Sequence, residues 1–580
     1  MKLARVIATF FLFVAPVMAE SPSQLTLVVH HLFDGKPIEF AKPGLTTASK
    51  ESISVTRLAY LLSEPSLKPI GDDNWLGSRD WFAFTDAEKG DGIHTLNGLP
   101  RRKFEMLRFH VGPDALTDHA DPSVYPPRHA LNPNVNGLHW GWAAGFVYLA
   151  IEGNLATKSK PSGYSYHIAG TPNRMEITVP VDVDLAHDTT LELDFNIEKI
   201  FAGKSPVRLS ETNSTHSRTG DDTATQIKTQ IEHAFALHSI HATAATPLPA
   251  NTGSTAPLIG TPYRFTIPKG IPLPELPTDF PLTNERVALG KRLFHDKRLS
   301  HNDSQSCSSC HDAAFGFADH LKFSLGADGD MSERNAMPLC NLAWKKSFFW
   351  DGRAPSLRVQ ALEPIQNPIE MHESLDRLVE KLNNDPGYRT DFEKTFGSKE
   401  ITAQKAGIAL EAFVLTLTSF NSKFDRAMRK EVELTDQEKR GFELFITEYD
   451  PRQNQFGADC FHCHGGALFT DNQFHNNGLP ADRSDPGRAR VTKRAADNAK
   501  FSTPSLRNVA LTAPYMHDGR FQTLEEVVDH YDHGVVPGET LDPNLAKHPR
   551  SGLGLTAADK KALVAFLKTL TDERTAAAEK

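Results

Sequence analysis

Apolar and polar positions follow two rhythms along this chain. In the front part they alternate. Met175-Glu176-Ile177-Thr178-Val179-Pro180-Val181-Asp182-Val183 and Leu191-Glu192-Leu193-Asp194-Phe195-Asn196-Ile197 show the period of two of a strand with one buried face. Leu25 to His30, Phe104 to Val111 and Gly145 to Ile151 are further β-favouring runs, separated by turn clusters such as Asp34-Gly35 and Thr171-Pro172-Asn173. The pattern predicts an antiparallel β-sandwich over 20–241, closed by a short amphipathic helix around Thr225 to Ser239.

In the back part, apolar residues recur at three- and four-residue spacing. Thr402 to Ser419, Thr435 to Phe445 and Thr556 to Thr571 each begin with a Thr placed to cap a helix, and Thr435 with Glu438 has the spacing of a capping box. Leu289-Gly290-Lys291-Arg292-Leu293-Phe294 and Arg440-Gly441-Phe442-Glu443-Leu444-Phe445 form an internal repeat. A stretch rich in Ala, Thr, Pro and Gly at 242–262 separates the two rhythms. The expected organisation is multidomain. A β-sandwich over 20–241 and a linker over 242–262 precede two all-α modules in tandem, 263–430 and 431–580.

The repeat gains meaning from cysteine. Cys307-Ser308-Ser309-Cys310-His311 and Cys460-Phe461-His462-Cys463-His464 are two copies of Cys-x-x-Cys-His, and each follows one copy of the repeat. Two thiols at this spacing add to the two vinyl groups of one haem, and the adjacent His supplies the proximal nitrogen to iron. The motifs use four of the five cysteines, so a zinc or disulfide reading is disfavoured. Cys340 is left as a small buried hydrophobe. Each helical module is thus expected to be a cytochrome c-type unit carrying one covalent haem c.

The N-terminus agrees. Met1-Lys2-Leu3-Ala4-Arg5, an apolar run from Val6 to Val17 and Val17-Met18-Ala19 have the charged, apolar and small-residue parts of an export signal over 1–19. The run is short for a membrane span, and no later stretch is apolar enough for one. Export and covalent haem both point to the periplasm. Hydrophobic content of 39% and charged content of 23% are ordinary for globular domains, and the net charge of −9 excludes a basic nucleic-acid-binding face.

Several motifs stand in order in the back half: Arg334-Asn335, Phe349-Trp350-Asp351-Gly352-Arg353, Gln366-Asn367-Pro368-Ile369-Glu370-Met371, Pro504-Ser505-Leu506-Arg507-Asn508 and Tyr515-Met516-His517-Asp518-Gly519-Arg520. With the haem motifs they resemble the bacterial di-haem cytochrome c peroxidase and MauG superfamily over about 300 residues. The resemblance implies that His311 and His464 are proximal ligands, the first haem being the peroxide site and the second the electron-entry site. It implies that Glu370 is the distal acid, that Gln360 and Pro364 line the distal pocket, and that Trp350 stands between the haems. It also implies a calcium ion near Asn335, Thr512 and Pro514. Trp350 has core packing as its alternative reading, and an Asn-Pro-x-Glu taken alone is a turn with a solvated acid.

Two departures set the subgroup. Most di-haem peroxidases carry a His in the loop before Arg334-Asn335, where it caps the first iron. Here 323–333 contains no His, and only His320, just upstream, competes for that role. The first haem is therefore expected to be open. Most members also place a Met on the second haem. Here the position matches Tyr531, as in MauG, with Met516, His530 and His533 as rivals. A phenolate is a hard anionic donor that lowers the iron potential.

The front half resembles the methanobactin-associated copper-binding proteins (MbnP-like). The residues are Val55 to Ser63, Phe109-His110-Val111-Gly112, Asn132-Pro133, Leu138-His139-Trp140-Gly141-Trp142 and Gly145 to Gly153. The resemblance implies copper, and a Trp converted to kynurenine by a separate MauG-like enzyme. Here both would share a chain, so the linker would hold substrate beside oxidant. The Trp candidates are Trp75, Trp81, Trp140 and Trp142. The copper candidates are His30, His31, His110, His139 and His167, since imidazole suits copper. His30 and His31 are adjacent on a strand and should face opposite ways. The expected function is hydrogen-peroxide-dependent oxidation of a front-domain tryptophan. The alternatives are a peroxide-detoxifying cytochrome c peroxidase fed by an external cytochrome or copper protein, and a non-enzymatic copper-binding or electron-transfer protein.

Overall fold

Two strands near the middle of the front domain are buried along nearly their whole length. Val147–Leu155 and Ser162–Ala169 expose almost nothing on either face, although a strand at the surface of a sandwich normally leaves one face wet. Something other than the sandwich covers their second face, and that something is the second haem module. The structure, a computed structural model, describes residues 22–141, 145–157, 162–218, 220–243, 258–480 and 485–577. The expected export signal at 1–19, and Trp142, lie outside the described residues, as does most of the expected linker.

The front domain is two sheets around one apolar core. One sheet runs in the order Phe235–Ala242, Thr189–Asn196, Ser23–Phe33, and the last also pairs with Lys36–Pro37 and Ile93–Leu99. The other runs Met175–Asp184, Lys103–Val111, Ser52–Pro69, Val147–Leu155, Ser162–Ala169, Ser214–Thr215. Met175–Asp184 alternates buried and exposed without exception, as its sequence predicts. Most pairs are antiparallel. Ser23–Phe33 and Thr189–Asn196 pair in parallel, with Leu27 opposite Leu191, and Ser165 and Tyr166 pair in parallel with Ser214 and Thr215. The closing helix is shorter than expected. It covers Asp222–Glu232, capped by Asp221, and 235–239 is the start of a strand that pairs with Thr189–Asn196. The sheet edge offers that segment a ladder of hydrogen bonds, and this outweighs its helical period.

In the back half the caps fall where expected. Thr402 opens Ala403–Leu415, Thr435 opens Asp436–Phe445 with a full capping box to Glu438, and Thr556 opens Ala557–Lys568. The repeat is a repeat in space. Asn284–Phe294 packs against Ala403–Leu415, with Gly290 against the Ala409 carbonyl. Asp436–Phe445 packs against Ala557–Lys568, with Gly441 against the Ala562 carbonyl. A Cβ at either glycine would come within 1.9 Å of that oxygen, so the close helix crossing requires Gly in both modules. Each module has its own apolar core. No helix among the described residues is long and apolar enough to cross a membrane.

Candidate haem sites and the domain junction

The first Cys-x-x-Cys-His lies on a short helical turn, Cys307–Cys310, closed by a Ser306/Ser309 capping box. His311 Nδ1 donates to the Phe317 carbonyl at 2.9 Å. That bond fixes the tautomer and leaves Nε2 bare for iron. The second motif repeats the device, with His464 Nδ1 donating to the Phe469 carbonyl at 3.1 Å.

A cavity of about 510 Å³ opens above His311, which is room for a macrocycle. Cys307 and Cys310 line it, as do Trp350, Gln360, Pro364 and Glu370. No other His lines it, so nothing of that type among the described residues reaches the face opposite His311. His320 is exposed, paired to Asp319, with its ring tilted against that of Phe315. Gln360 and Pro364 come from Leu357–Gln366, a helix capped by Ser356. Glu370 follows on the Asn367 turn, its amide donating to the Asn367 carbonyl at 3.0 Å. Burial pushes its carboxyl up from the usual range, opposed by Asn367 and Arg353. The 323–333 loop lies against this turn. Ala327 donates to the Glu370 carbonyl at 2.6 Å, and a Cβ on Gly326 would come within 2.2 Å of the Ile369 carbonyl. Cys340 is buried, as expected, with Asn508 Nδ2 3.5 Å from its sulfur.

Trp350 sits where the modules meet. Its indole nitrogen donates to the Asn335 carbonyl at 2.9 Å, and its own carbonyl accepts from Ser502 of the second module at 2.8 Å. Arg334 clamps the same place, bonding Asp351 at 2.7 Å and Asp485 at 2.7 Å. The Asn335 Nδ2 donates to the Leu321 and Lys322 carbonyls, which leaves its Oδ1 available to the expected calcium, and the Thr512 hydroxyl donates to the Val509 carbonyl.

Tyr531 lies in the π-turn His530–Gly534, half-buried, with its phenol oxygen 3.3 Å from Asn477 Nδ2. Met516 Sδ is 3.4 Å from the same nitrogen, so the two rivals share one spot. The other two rivals do not. His530 Nε2 engages the Asn477 carbonyl, and His533 is exposed beside Asp532.

The copper candidates do not converge. His30 pairs with Glu192 at 2.9 Å, beside His238 on one face of its strand. His31 points the other way to the Tyr60 hydroxyl at 2.8 Å. His110 faces Glu176, and His139 Nδ1 accepts from the Gly141 amide. His167 alone belongs to a buried cluster, with His216 and with His462 of the second haem motif. Sequence reasoning missed His216 and His462. The signal was present for His462, an imidazole inside the variable pair of a haem motif. Glu152, a charge near the end of the apolar Gly145 to Gly153 run, marked the same place.

That cluster lies in the domain junction. Ser214 donates to Glu448 at 2.8 Å, Arg452 to the Glu211 carbonyl at 2.6 Å, and Asn544 to Glu152 at 3.3 Å. Gly163 meets the Pro543 carbonyl, and Gly141 meets Gly466, both too closely for a Cβ. Trp140 packs against both the sandwich core and the core of the second haem module, its ring 6.1 Å from that of His216. Trp75 instead stacks under Arg108, and Trp81 donates to the Thr95 carbonyl, both within the front domain.

Residues 284–433 match the family described as Di-haem cytochrome c peroxidase, and residues 22–217 match the MbnP family. A methylamine utilization protein MauG of Methylorubrum extorquens is 40% identical over 314 residues, spanning 53% of this chain and 84% of that protein. The cytochrome c551 peroxidase of Nitrosomonas europaea is 34% identical over 302 residues, spanning 51% and 82%. The crystal structure of a MauG-like protein associated with microbial copper homeostasis is 36% identical with a TM-score of 0.49, spanning 54% and 97%.

Proposed function

The chain belongs to the di-haem cytochrome c peroxidase family, fused to an MbnP domain, and on that premise we propose that this peroxidase works in the periplasm and oxidises Trp140 of its own front domain toward kynurenine. Bound haem c supplies iron that accepts the two oxidising equivalents of hydrogen peroxide and holds them. The chain's residues do the rest. Glu370, held toward its protonated form by burial, moves a proton between the peroxide oxygens. Gln360 and Pro364 shape the space, and His311 and His464 orient the two irons. Trp350, bonded to both modules, is placed to pass a hole from one to the other. Tyr531 is the proposed anionic ligand of the second iron.

The observation that carries the reading is the packing of Trp140. Of the three described tryptophans in the front domain, it is the one that packs against the apolar core of the second haem module. An indole there is, among the described tryptophans of the front domain, the one best placed to give up electrons. The test is peptide mass spectrometry of the intact holoprotein before and after peroxide, beside Trp140→Phe. The expected result is an oxidised Trp140 peptide in the parent, unmodified Trp75 and Trp81 peptides, and slower peroxide consumption in the variant. Unmodified Trp140 under rapid peroxide consumption with an added donor would instead favour a peroxide scavenger.

A further inference from the structure

Three imidazoles meet where the front domain docks on the second haem motif. His167 comes from Ser162–Ala169, His216 from the turn after Ser214–Thr215, and His462 from between Cys460 and Cys463. One nitrogen of each lies within 4.8 Å of the others. All three are deep in the protein, their side chains 7%, 8% and 1% exposed.

The hydrogen-bond logic leaves a cation missing. His167 Nε2 lies 2.9 Å from Glu152, and His216 Nδ1 lies 2.9 Å from Glu448. A carboxylate only accepts, so each ring directs its single N–H there. The other nitrogens, His167 Nδ1 and His216 Nε2, then face each other as bare lone pairs at 3.1 Å. Two lone pairs at that distance repel unless a cation lies between them. Burial lowers the affinity of both rings for an extra proton, that of His167 to about 3. His462 fits the pattern. Its Nε2 is 3.0 Å from Glu448, with Lys547 3.3 Å away, and its Nδ1 is buried with no hydrogen-bond partner. An imidazole whose far nitrogen is fixed by a carboxylate is the usual arrangement behind a metal ligand. Donors 2.0–2.1 Å from one ion in trigonal or tetrahedral array stand about 3.3–3.6 Å apart. The first pair, at 3.1 Å, is nearly set, and His462, whose nitrogen lies within 4.8 Å of the others, closes the set by moving inward.

The donor set narrows the ion. Glu152, Glu448 and Asp459 are buried here and are engaged by Arg57 and Lys547 as well as by the rings, so the imidazole nitrogens are the donors left to face the gap. Three imidazole donors suit copper.

We propose that His167, His216 and His462 bind one copper(I) ion across the domain junction, with Glu152 and Glu448 as the carboxylates that orient the rings. Because two ligands come from the sandwich and one from the haem loop, the complete site exists only when the domains are docked. Copper binding therefore stabilises the arrangement that sets Trp140 against the second module. The inference rests on the junction geometry and not on the peroxide chemistry.

The experiment is metal analysis of the full-length holoprotein, anaerobically loaded with copper(I), desalted and challenged with a graded copper(I) chelator, without peroxide. The parent should retain one copper per chain beside two iron. His216→Asn and His462→Gln, on opposite sides of the junction, should each weaken retention at least tenfold, with haem iron and the visible haem spectrum unchanged. His30→Asn, in the separate His30/Glu192/His238 group, should retain copper like the parent. X-ray absorption of the loaded parent should show nitrogen donors alone. Parent-like retention in both junction variants, no retained copper in the parent, or zinc retained in preference to copper would overturn the assignment. Should His216→Asn fail to take up haem, His462→Gln and the absorption spectrum decide.

Discussion

Glu370 owes its chemistry to its surroundings. The same Asn-Pro-x-Glu on an open turn would be an ordinary solvated acid, whereas here Glu370 lines the same cavity as His311. Glu370→Gln keeps the shape and removes the titrating group. Peroxide turnover should fall by about 10²–10⁴-fold, with iron content unchanged, in stopped-flow and haem assays. Tyr531 poses a different question, because its oxygen and the Met516 sulfur share the Asn477 amide. Tyr531→Phe should raise the potential of the second haem by on the order of 0.1 V, within the roughly 0.8 V that axial ligands command. A spectroelectrochemical titration unchanged by Tyr531→Phe but moved by Met516→Leu would give the ligand role to Met516. At this scale the sequence reveals what local covalent spacing dictates. The expectation for His311 and His464 follows from their cysteines, while the partners of His216, Glu448 and His462, lie in another domain and leave no local signature.

At the scale of elements, capping and periodicity were legible because they are short-range. Thr402, Thr435 and Thr556 open helices as expected, and the alternation of Met175–Asp184 survives intact. The segment 235–239 was not legible, since its strand depends on a neighbour distant in sequence. The Phe474–His475 strand shows how a short element is held by charge instead of length. His475 bridges Asp542 at 2.6 Å and Asp471 at 2.8 Å. Burial opposes its charge, but the two carboxylates outweigh burial and push its pKa up to about 10. A group raised from 6.5 to about 10 adds stability that is fully present below about pH 6.5 and is lost as pH rises through 10. Asp471 and Asp542 are held below their usual range, so their contribution persists above about pH 4 and disappears as pH falls. Melting temperature should thus be level from about pH 5 to 6.5 and decline toward pH 10. His475→Asn should lower the level part by the equivalent of a few kcal/mol and flatten the alkaline decline, read by calorimetry.

At the scale of the whole molecule, the sequence predicts a sandwich, a linker and two haem modules but not how they touch. The unbroken burial of Val147–Leu155 and Ser162–Ala169 marks the answer, because a sandwich strand with no wet face needs a second neighbour. The neighbour arrives at backbone distance. A Cβ on Gly163 would come within 1.8 Å of the Pro543 carbonyl, and main-chain oxygen has no rotamer by which to yield. Gly163→Ala should therefore open the junction at a cost of about 1–3 kcal/mol while leaving both haem pockets untouched. The linker keeps the front domain at millimolar effective concentration, so the penalty shifts a docked–undocked equilibrium without separating the partners. A shift of that size enlarges the undocked fraction by about 5- to 150-fold. If Trp140 is oxidised only when docked, its oxidation should slow while peroxide consumption with a small artificial donor stays within about twofold of the parent. The two rates, measured on one sample by peptide mass spectrometry and peroxide assay, should therefore separate. Equal slowing of both would mean that Gly163→Ala had damaged the haem modules. No slowing of either would mean that oxidising equivalents reach Trp140 without the contact.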